Sequence, residues 1–245
     1  MKKILVIGAT SSIAEATIRL LAQDGHSFFL TSRHLEKLKI LAQDLQVRGA
    51  QKVESAILDV NQFEQHEKII QNARESLNGL DMVFIAHGSL GDPKASDVDY
   101  AIAEKEIKTN FLSIVSILTL IANEFEKEKK GTIVVISSVA GDRGRKGNNI
   151  YGTSKAALST YLQGLRNRLS SSHIHVLTIK PGPVDTPMTA HLPKTFLFAK
   201  SEKIARDIYK AIQKKKEVVY TPLVWKLIMM IVRIIPEKIF KHLNF

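Results

Sequence analysis

KILVIGATSSIA, residues 3–14, runs from a short apolar stretch through small residues into a helical pattern. The apolar run Ile4-Leu5-Val6-Ile7 predicts a buried strand, and the apolar spacing over 12–23 predicts a helix. A turn of small residues between such a strand and helix lets backbone N–H groups approach a diphosphate at the helix N-terminus. Of the three glycines in a GxGxxG pattern only Gly8 is present, so an ordinary helix start capped by Ser12 explains the stretch equally well.

Strand and helix patterns alternate through the first 222 residues. Predicted strands lie at 4–7, 27–30, 53–57, 82–85, 133–136, 174–177 and 218–220, and predicted helices lie at 12–23, 34–48, 62–77, 99–129 and 150–171. Near-continuous apolar strands are typical of a parallel sheet covered on both faces. The alternation predicts a single α/β domain over 1–222, a doubly wound parallel sheet with the Rossmann fold. Residues 223–245 are predicted to form an apolar helical tail.

The composition is that of a globular protein without cysteine. The absence of cysteine excludes disulfides, thiolate metal ligands and a cysteine nucleophile, and no metal site is predicted. The opening MKKILVIGA is interpreted as a strand, because its apolar run is shorter than the core of a signal peptide. Together these features predict a cytoplasmic protein.

The formal net charge is +11, and most of it is local. From Lys200 onward the chain holds eleven Lys and Arg against four Asp and Glu, which gives +7. Such an excess indicates an acidic partner or an anionic surface. The sequence lacks the signatures of a nucleic-acid-binding module, so no nucleic-acid partner is predicted.

The end of the second strand indicates which dinucleotide a site here would prefer. An NAD-selective site usually places an acidic residue at this point to hold the ribose 2′-hydroxyl, whereas an arginine suits a 2′-phosphate. Leu30-Thr31-Ser32-Arg33 contains no acid and ends in an arginine. NADP(H) is therefore the predicted cofactor and NAD(H) the alternative; a solvated residue at a helix start is the other interpretation of Arg33.

Tyr151 precedes Lys155 by one helical turn, so both side chains lie on one face of the predicted helix. A tyrosine with its ordinary pKa of about 10 exchanges protons poorly at neutral pH, and a neighbouring cation lowers that pKa. Ser138 ends the fifth strand, where its hydroxyl can hold a carbonyl oxygen beside the phenol. YxxxK alone often arises by chance, but the ordered set favours hydride transfer with Tyr151 as the proton donor.

These features resemble the short-chain dehydrogenase/reductase family over roughly residues 1–222. The resemblance is carried by GATSSIA (8–14), Leu58-Asp59-Val60, Ile85-Ala86-His87-Gly88, Asn110, Ser138, YGTSK (151–155) and Pro181-Gly182-Pro183-Val184-Asp185-Thr186. It implies a catalytic tetrad of Asn110, Ser138, Tyr151 and Lys155. Tyr151 would be the acid–base, Ser138 the carbonyl orienter, Lys155 the tuner and ribose ligand, and Asn110 the holder of a relay water; a capping role is the alternative for Asn110. The family also implies a homodimer or homotetramer through helices 99–129 and 150–171.

The same resemblance implies the cofactor contacts. They are Gly8, Thr10, Ser11, Ser12 and Ile13 in the first loop, Arg33, Asp59 and Val60 at the adenine end, His87 and Gly88 near the ribose, Tyr151 and Lys155, and Val184 and Thr186 at the nicotinamide carboxamide. Two features depart from the family pattern: the first loop lacks two glycines, and Ile85-Ala86-His87-Gly88 replaces Asn-Asn-Ala-Gly. Both alter the nucleotide site and leave the catalytic groups in place. His87 is interpreted as a packing or backbone-contact residue rather than a base.

The tail is both apolar and basic. From Leu223 to Ile235 only Lys226 and Arg233 interrupt the apolar residues, and their separation of seven places them on one helical face. The run is too short for a membrane-spanning helix, which needs about 20 apolar residues. It predicts an interfacial helix on an anionic membrane, with Trp225 at the boundary. An oligomer interface and a core-covering helix are the alternatives.

The predicted substrate is apolar or lipid-linked. The apolar segment 195–199 lies where the family keeps a mobile lid, and it agrees with the character of the tail. Residues 139–146 and the tail are also similar, less closely, to reductases that complete the epimerisation of a polyprenyl-phosphate-linked ribose to arabinose. That resemblance implies that Arg143, Arg145 and Lys146 meet a substrate phosphate, and a solvated basic loop is the alternative.

The predicted function is an NADP(H)-dependent oxidoreductase that acts on a small-molecule or lipid-linked substrate, with peripheral contact to the inner face of a membrane through 223–245. One alternative is a soluble reductase of ketones or 3-oxoacyl thioesters whose tail forms an oligomer. Another is a non-catalytic dinucleotide-binding sensor. The intact Ser138, Tyr151 and Lys155 argue against the sensor, because binding alone needs no phenolic acid.

Overall fold

The computed structural model of the protein describes residues 1–243. Asn244 and Phe245, the last two residues of the predicted tail, lie outside the described residues. The main sheet contains seven strands: β1 (Lys3–Ile7), β2 (Ser27–Ser32), β3 (Lys52–Ile57), β4 (Met82–Ile85), β5 (Thr132–Ile136), β6 (His175–Pro181) and β9 (Val218–Thr221). Two short strands, β7 (Val184–Asp185) and β8 (Ala199–Lys200), pair with each other.

The strand order in the main sheet is β3-β2-β1-β4-β5-β6-β9, and every neighbouring pair is parallel. The order reverses between β1 and β4. In doubly wound folds ligands bind beyond the carboxyl ends of the strands at such a reversal. The predicted fold class is confirmed, and the candidate site lies at this edge of the sheet.

Ten α-helices connect the described strands or follow them. They are α1 (Ser12–Ala22), α2 (Leu35–Val47), α3 (His66–Leu77), α4 (Pro93–Val98), α5 (Tyr100–Ile107), α6 (Ser113–Glu128), α7 (Asn149–Leu169), α8 (Ser201–Gln213), α9 (Val224–Ile234) and α10 (Glu237–Phe240). Helices α1, α2 and α8 cover one face of the sheet, and α3, α6 and α7 cover the other. Strand residues alternate between the two layers: Ile4 and Val6 pack on the first, Leu5 and Ile7 on the second. This double burial explains the continuous apolar runs in the sequence.

The predicted continuous helix 99–129 is wrong in one respect. Helix α5 ends at Ile107, a π-helical turn occupies Lys108–Leu112, and only then does α6 begin. Asn110 lies inside the π turn and is fully buried. Single π turns inserted in helices are frequently found at functional sites. Helices α4 and α8 were not predicted from the sequence.

One face of the tail helix covers the domain. Trp225, Met229 and Val232 are buried against Val139. The expectation that Trp225 lies at a membrane boundary is therefore wrong, because its side chain packs inside the domain. The close approach depends on Gly182, where a Cβ would lie 1.9 Å from Trp225 Nε1. Within residues 1–243, no helix combines the length and the apolar character that a membrane crossing requires.

Candidate active site

Ser138, Tyr151 and Lys155 meet at the carboxyl end of β5. The Ser138 hydroxyl acts on the Tyr151 phenol and favours its ionised form, and Lys155 Nζ lies 5.8 Å from the centre of the Tyr151 ring. Lys155 Nζ also donates to the Ile136 carbonyl at 3.2 Å, and 3% of the lysine is exposed. The structure thus brings together the three side chains that the sequence singles out, because a strand end and the first turn of α7 converge there.

Burial governs protonation at this cluster. It lowers the pKa of Lys155 to about 8, and the Glu106 carboxylate acts in the opposite direction. Burial also raises the pKa of Tyr151, although the Ser138 hydrogen bond and the Arg145 guanidinium oppose it. The expected lowering of the Tyr151 pKa is therefore wrong for the protein chain alone, because desolvation of the phenolate outweighs the stabilising groups around it.

Asn110 holds the loop that follows β4. Its Nδ2 donates to the Ser89 carbonyl at 2.9 Å and to Glu106 Oε2 at 3.0 Å, and its Oδ1 accepts from the Ser89 N–H at 3.0 Å. A side chain added at Gly88 would meet both Asn110 Oδ1 and Lys155 Nζ, so these two residues flank the same glycine. A role for Asn110 in a proton relay stays a prediction.

The first loop packs closely against His87 through Gly8. Gly8 has φ +80°, which favours glycine, and a Cβ there would lie 2.7 Å from the backbone nitrogen of His87. Ser11, not Ser12, caps α1, since its hydroxyl accepts from the Ala14 N–H at 3.4 Å. The first-turn amides of Ser12 and Ile13 have no intrahelical acceptor, as at any helix start, and suit an anion. These amides would hold the diphosphate of a dinucleotide.

The predicted adenine-end residues follow β2 and β3 at the same edge of the sheet. Arg33 is exposed and forms no ion pair within residues 1–243. Thr10 Oγ1 donates to Ser32 Oγ at 3.1 Å, which ties the first loop to the end of β2. Asp59 Oδ1 accepts from the Asn61 N–H at 3.0 Å, and the Val60 carbonyl lies 3.0 Å from a His66 ring nitrogen.

His87 lies directly beside the first loop. Its Nε2 is 2.9 Å from the Ser113 hydroxyl, which itself donates to the Thr109 carbonyl, so Nε2 carries the proton. Burial lowers the pKa of His87 to about 3, with the Lys155 charge acting in the same direction. A neutral imidazole of this kind is no acid–base near pH 7. The geometry agrees with the interpretation of His87 as a packing residue.

The segments predicted to contact the nicotinamide and to form a lid are joined by hydrogen bonds. Val184 pairs with Ala199 across β7 and β8. Thr189 Oγ1 donates to the Val184 carbonyl at 2.5 Å and accepts from the Thr186 N–H at 3.3 Å. At the other end of the lid, Phe196 is 95% exposed.

The basic loop before α7 divides into three different environments. Arg143 Nη1 donates to the carbonyls of Val232 and Ile235 at 2.6 Å each, and its guanidinium lies 3.7 Å from the centre of the Phe240 ring. The expectation that Arg143 meets a substrate phosphate is therefore wrong, because the tail occupies it. Arg145 is half-buried near Tyr151: desolvation lowers the pKa of Arg145, and the charge of Tyr151 acts in the opposite direction. Lys146 is exposed.

Sequence reasoning missed Glu106 and Ser89. Glu106 is 7% exposed and accepts from the Ser89 hydroxyl at 2.7 Å. The spacing of four between Glu106 and Asn110 was the available signal, since residues so spaced face each other on a helix. Their meeting with Ser89 depends on the π turn, which the sequence does not reveal.

The chain is similar to known proteins over most of its length. The family model described as short chain dehydrogenase matches residues 2–196. An uncharacterized oxidoreductase of Streptomyces coelicolor is 30% identical over 243 residues, covering 99% of this chain and 96% of the relative. One from Mycobacterium tuberculosis is 28% identical over 240 residues, covering 98% and 96%. Among solved structures, a short-chain dehydrogenase from Sphingobium yanoikuyae in complex with NADPH superposes with a TM-score of 0.84 at 22% identity, covering 97% of both chains.

Proposed function

The chain belongs to the short-chain dehydrogenase family, and we propose that it uses NADP(H) to interconvert a carbonyl and a secondary alcohol on an apolar or lipid-linked substrate. The observation that carries this proposal is the cluster of Ser138, Tyr151 and Lys155 beside an apolar wall. Val139, the residue after Ser138, packs in an apolar cluster with Trp225 of the tail. Leu197 of the lid segment packs against that apolar cluster. Catalytic polar groups and apolar surface are therefore adjacent.

The protein's own residues manage the proton. When bound, the nicotinamide supplies or accepts the hydride. Tyr151 gives its proton to the carbonyl oxygen during reduction, and the Ser138 hydroxyl beside that phenol holds the same oxygen. Lys155 places a cation beside the phenolate that results and stabilises it. Arg145, near Tyr151, suits an anionic group of the substrate.

Three features support NADP(H) over NAD(H). The exposed Arg33 at the end of β2 suits a 2′-phosphate. The end of β2 carries no acidic residue that would repel a phosphate. The similar fold from Sphingobium yanoikuyae binds NADPH. The residues proposed to hold the cofactor remain those of the first loop, the ends of β2 and β3, His87 with Gly88, Lys155, Val184 and Thr186.

An amphipathic groove supports a lipid-like substrate. Its volume is about 670 Å³, and it lies between the lid, α8 and the start of α9. Phe196, Leu197 and Phe198 provide apolar walls. The charged lining residues are three cations and one carboxylate, which leaves an excess of positive charge: Lys200, Lys203, Arg206 and Glu202. Apolar and cationic walls together suit a molecule with an acidic head and a hydrocarbon chain. The exposed side of α9 begins at the rim of this groove, which supports membrane contact by the tail.

The test is NADPH oxidation, followed by absorbance, with Tyr151→Phe as the matched blank. Purified protein receives either the lipid extract or the aqueous extract of the cells that make it, with NADH in place of NADPH as a second arm. We expect consumption of NADPH with the lipid extract and much slower consumption of NADH. Tyr151→Phe should lose at least about a hundredfold in rate and still bind NADPH.

Each other outcome identifies a rival. Consumption with the aqueous extract alone would contradict the lipid-linked substrate and support a soluble reductase with an oligomer-forming tail. No consumption of NADPH and no reduction of NADP⁺ with either extract, while NADPH still binds, would support the non-catalytic sensor.

A further inference from the structure

Glu106 is a buried carboxylate next to the catalytic cluster. It lies in the last turn of α5 and is 7% exposed. Oε1 accepts from the Ser89 hydroxyl at 2.7 Å, and Oε2 accepts from Asn110 Nδ2 at 3.0 Å. Both oxygens therefore bond to neutral donors, and within residues 1–243 no ion pair forms on this carboxylate. Burying such a charge is costly, which indicates that the charge itself has a use.

The charge of Glu106 acts on two residues of α7, Tyr151 and Lys155. Its charge raises the pKa of Lys155 against desolvation, and it raises the pKa of Tyr151 together with desolvation. The other charged or titratable groups that face these two are Arg145 at Tyr151 and His87 at Lys155. No other carboxylate of the described chain acts on either residue. Glu106 thus favours the protonated form of both groups: at Lys155 it opposes desolvation, and at Tyr151 it adds to desolvation, which is the larger cause.

We propose that Glu106 is a positioning residue of the active site, which orients the Asn110 amide and the Ser89 loop and supplies the negative charge that balances the Lys155 ammonium. Its role as a positioning residue for hydride transfer rests on the proposed function; its placement and charge do not. A reductase needs a protonated phenol and a protonated lysine at the moment of proton transfer. A carboxylate that favours the protonated phenol and the protonated lysine keeps both groups protonated up to a higher pH.

The experiment titrates Tyr151 directly in protein without cofactor or substrate. The five tyrosines are labelled with ¹³Cζ, and the Tyr151 signal is identified by its loss in Tyr151→Phe. Glu106→Gln keeps the shape of the side chain and removes its charge. We expect its Tyr151 midpoint to fall on the order of one pH unit. The control is Glu104→Gln on the same helix, a half-buried residue whose charge is paired with Lys108, which should leave the midpoint unchanged.

Two results would overturn the proposal: an unchanged midpoint in Glu106→Gln, or an equal shift in Glu104→Gln. Should Glu106→Gln not fold, Glu106→Asp replaces it, since it withdraws the charge by one methylene and should lower the midpoint by a smaller amount; no shift there would also overturn the proposal. Because no turnover is measured, failure of the proposed function cannot produce any of these outcomes.

Discussion

At the residue scale, His87 makes the stability of the protein depend on pH. Its pKa falls from 6.5 to about 3 on burial. Between these values the unfolded chain binds a proton that the native chain does not, so the free energy of unfolding falls as the pH drops through this window. Above pH 6.5 His87 is neutral in both the folded and the unfolded chain, so it no longer lowers the free energy of unfolding. Burial lowers the pKa of His26, His66 and His175 too, and their effects have the same sign.

We expect His87→Gln to reduce this acid sensitivity. Urea unfolding followed by circular dichroism at pH 7, 6 and 5 gives the slope of the unfolding free energy against pH. In the variant that slope should decrease by up to about 1.4 kcal/mol per pH unit below pH 6. His191→Gln, at an exposed position ahead of the lid segment, is the matched control and should keep the parent slope. Equal slopes in all three proteins would show that His87 is protonated without cost.

The residues of the candidate site differ in how far sequence could predict their placement. Tyr151 and Lys155 share one helix face, and Ser138 follows a strand whose carboxyl end must lie at the ligand edge of a parallel sheet. Periodicity therefore brings these three together. Glu106 and Ser89 meet through a π turn and an irregular loop, for which the sequence carries no periodic signal.

At the element scale, Arg143 joins the loop after β5 to the end of α9. Its two carbonyl contacts and its position over the Phe240 ring hold α9 and α10 together against the domain. Arg143 Nη2 also forms an ion pair with Glu237 Oε2 at 2.9 Å. The sequence predicted a helical tail and left its partner open, because the apolar residues of α9 occupy two opposite faces. Only the placement of Val139 and Gly182 decides which of the two is buried.

Arg143→Met should release the end of the tail while keeping the length of the side chain. Two hydrogen bonds from a charged donor to buried carbonyls are lost, so the free energy of unfolding should fall by about 2–4 kcal/mol. Emission from Trp225, the only tryptophan, should shift to the red as α9 loosens. Arg168→Met removes an exposed ion pair with Glu126 and should cost less than about 1 kcal/mol without a spectral shift. Equal losses in both variants would contradict a specific role for Arg143.

At the scale of the whole molecule, the tail presents an unpaired apolar surface beside positive charge. Leu227, Ile231 and Ile234 lie on the face of α9 opposite Trp225, and each is more than half exposed. Lys226 and Arg233 lie on the flank of that face, and the chain from Lys200 onward carries a net charge of +7. An exposed apolar face with basic flanks is typical of a helix that lies in the interface of an anionic membrane.

Leu227→Asn with Ile231→Asn should abolish membrane binding and leave the fold intact, because both side chains point away from the buried cluster. In co-sedimentation, the parent should bind vesicles of phosphatidylcholine with phosphatidylglycerol, and binding should weaken with added salt. The variant should bind at least about tenfold more weakly, since two aliphatic side chains no longer enter the bilayer. Ile40→Asn with Val47→Asn, two exposed positions on α2, is the matched control and should bind like the parent. If the parent ignores the vesicles but self-associates in solution, and the tail variant alone is monomeric, the apolar face is an interface between copies of the chain. In that case the positive charge of the tail would have to serve an acidic substrate rather than a lipid surface.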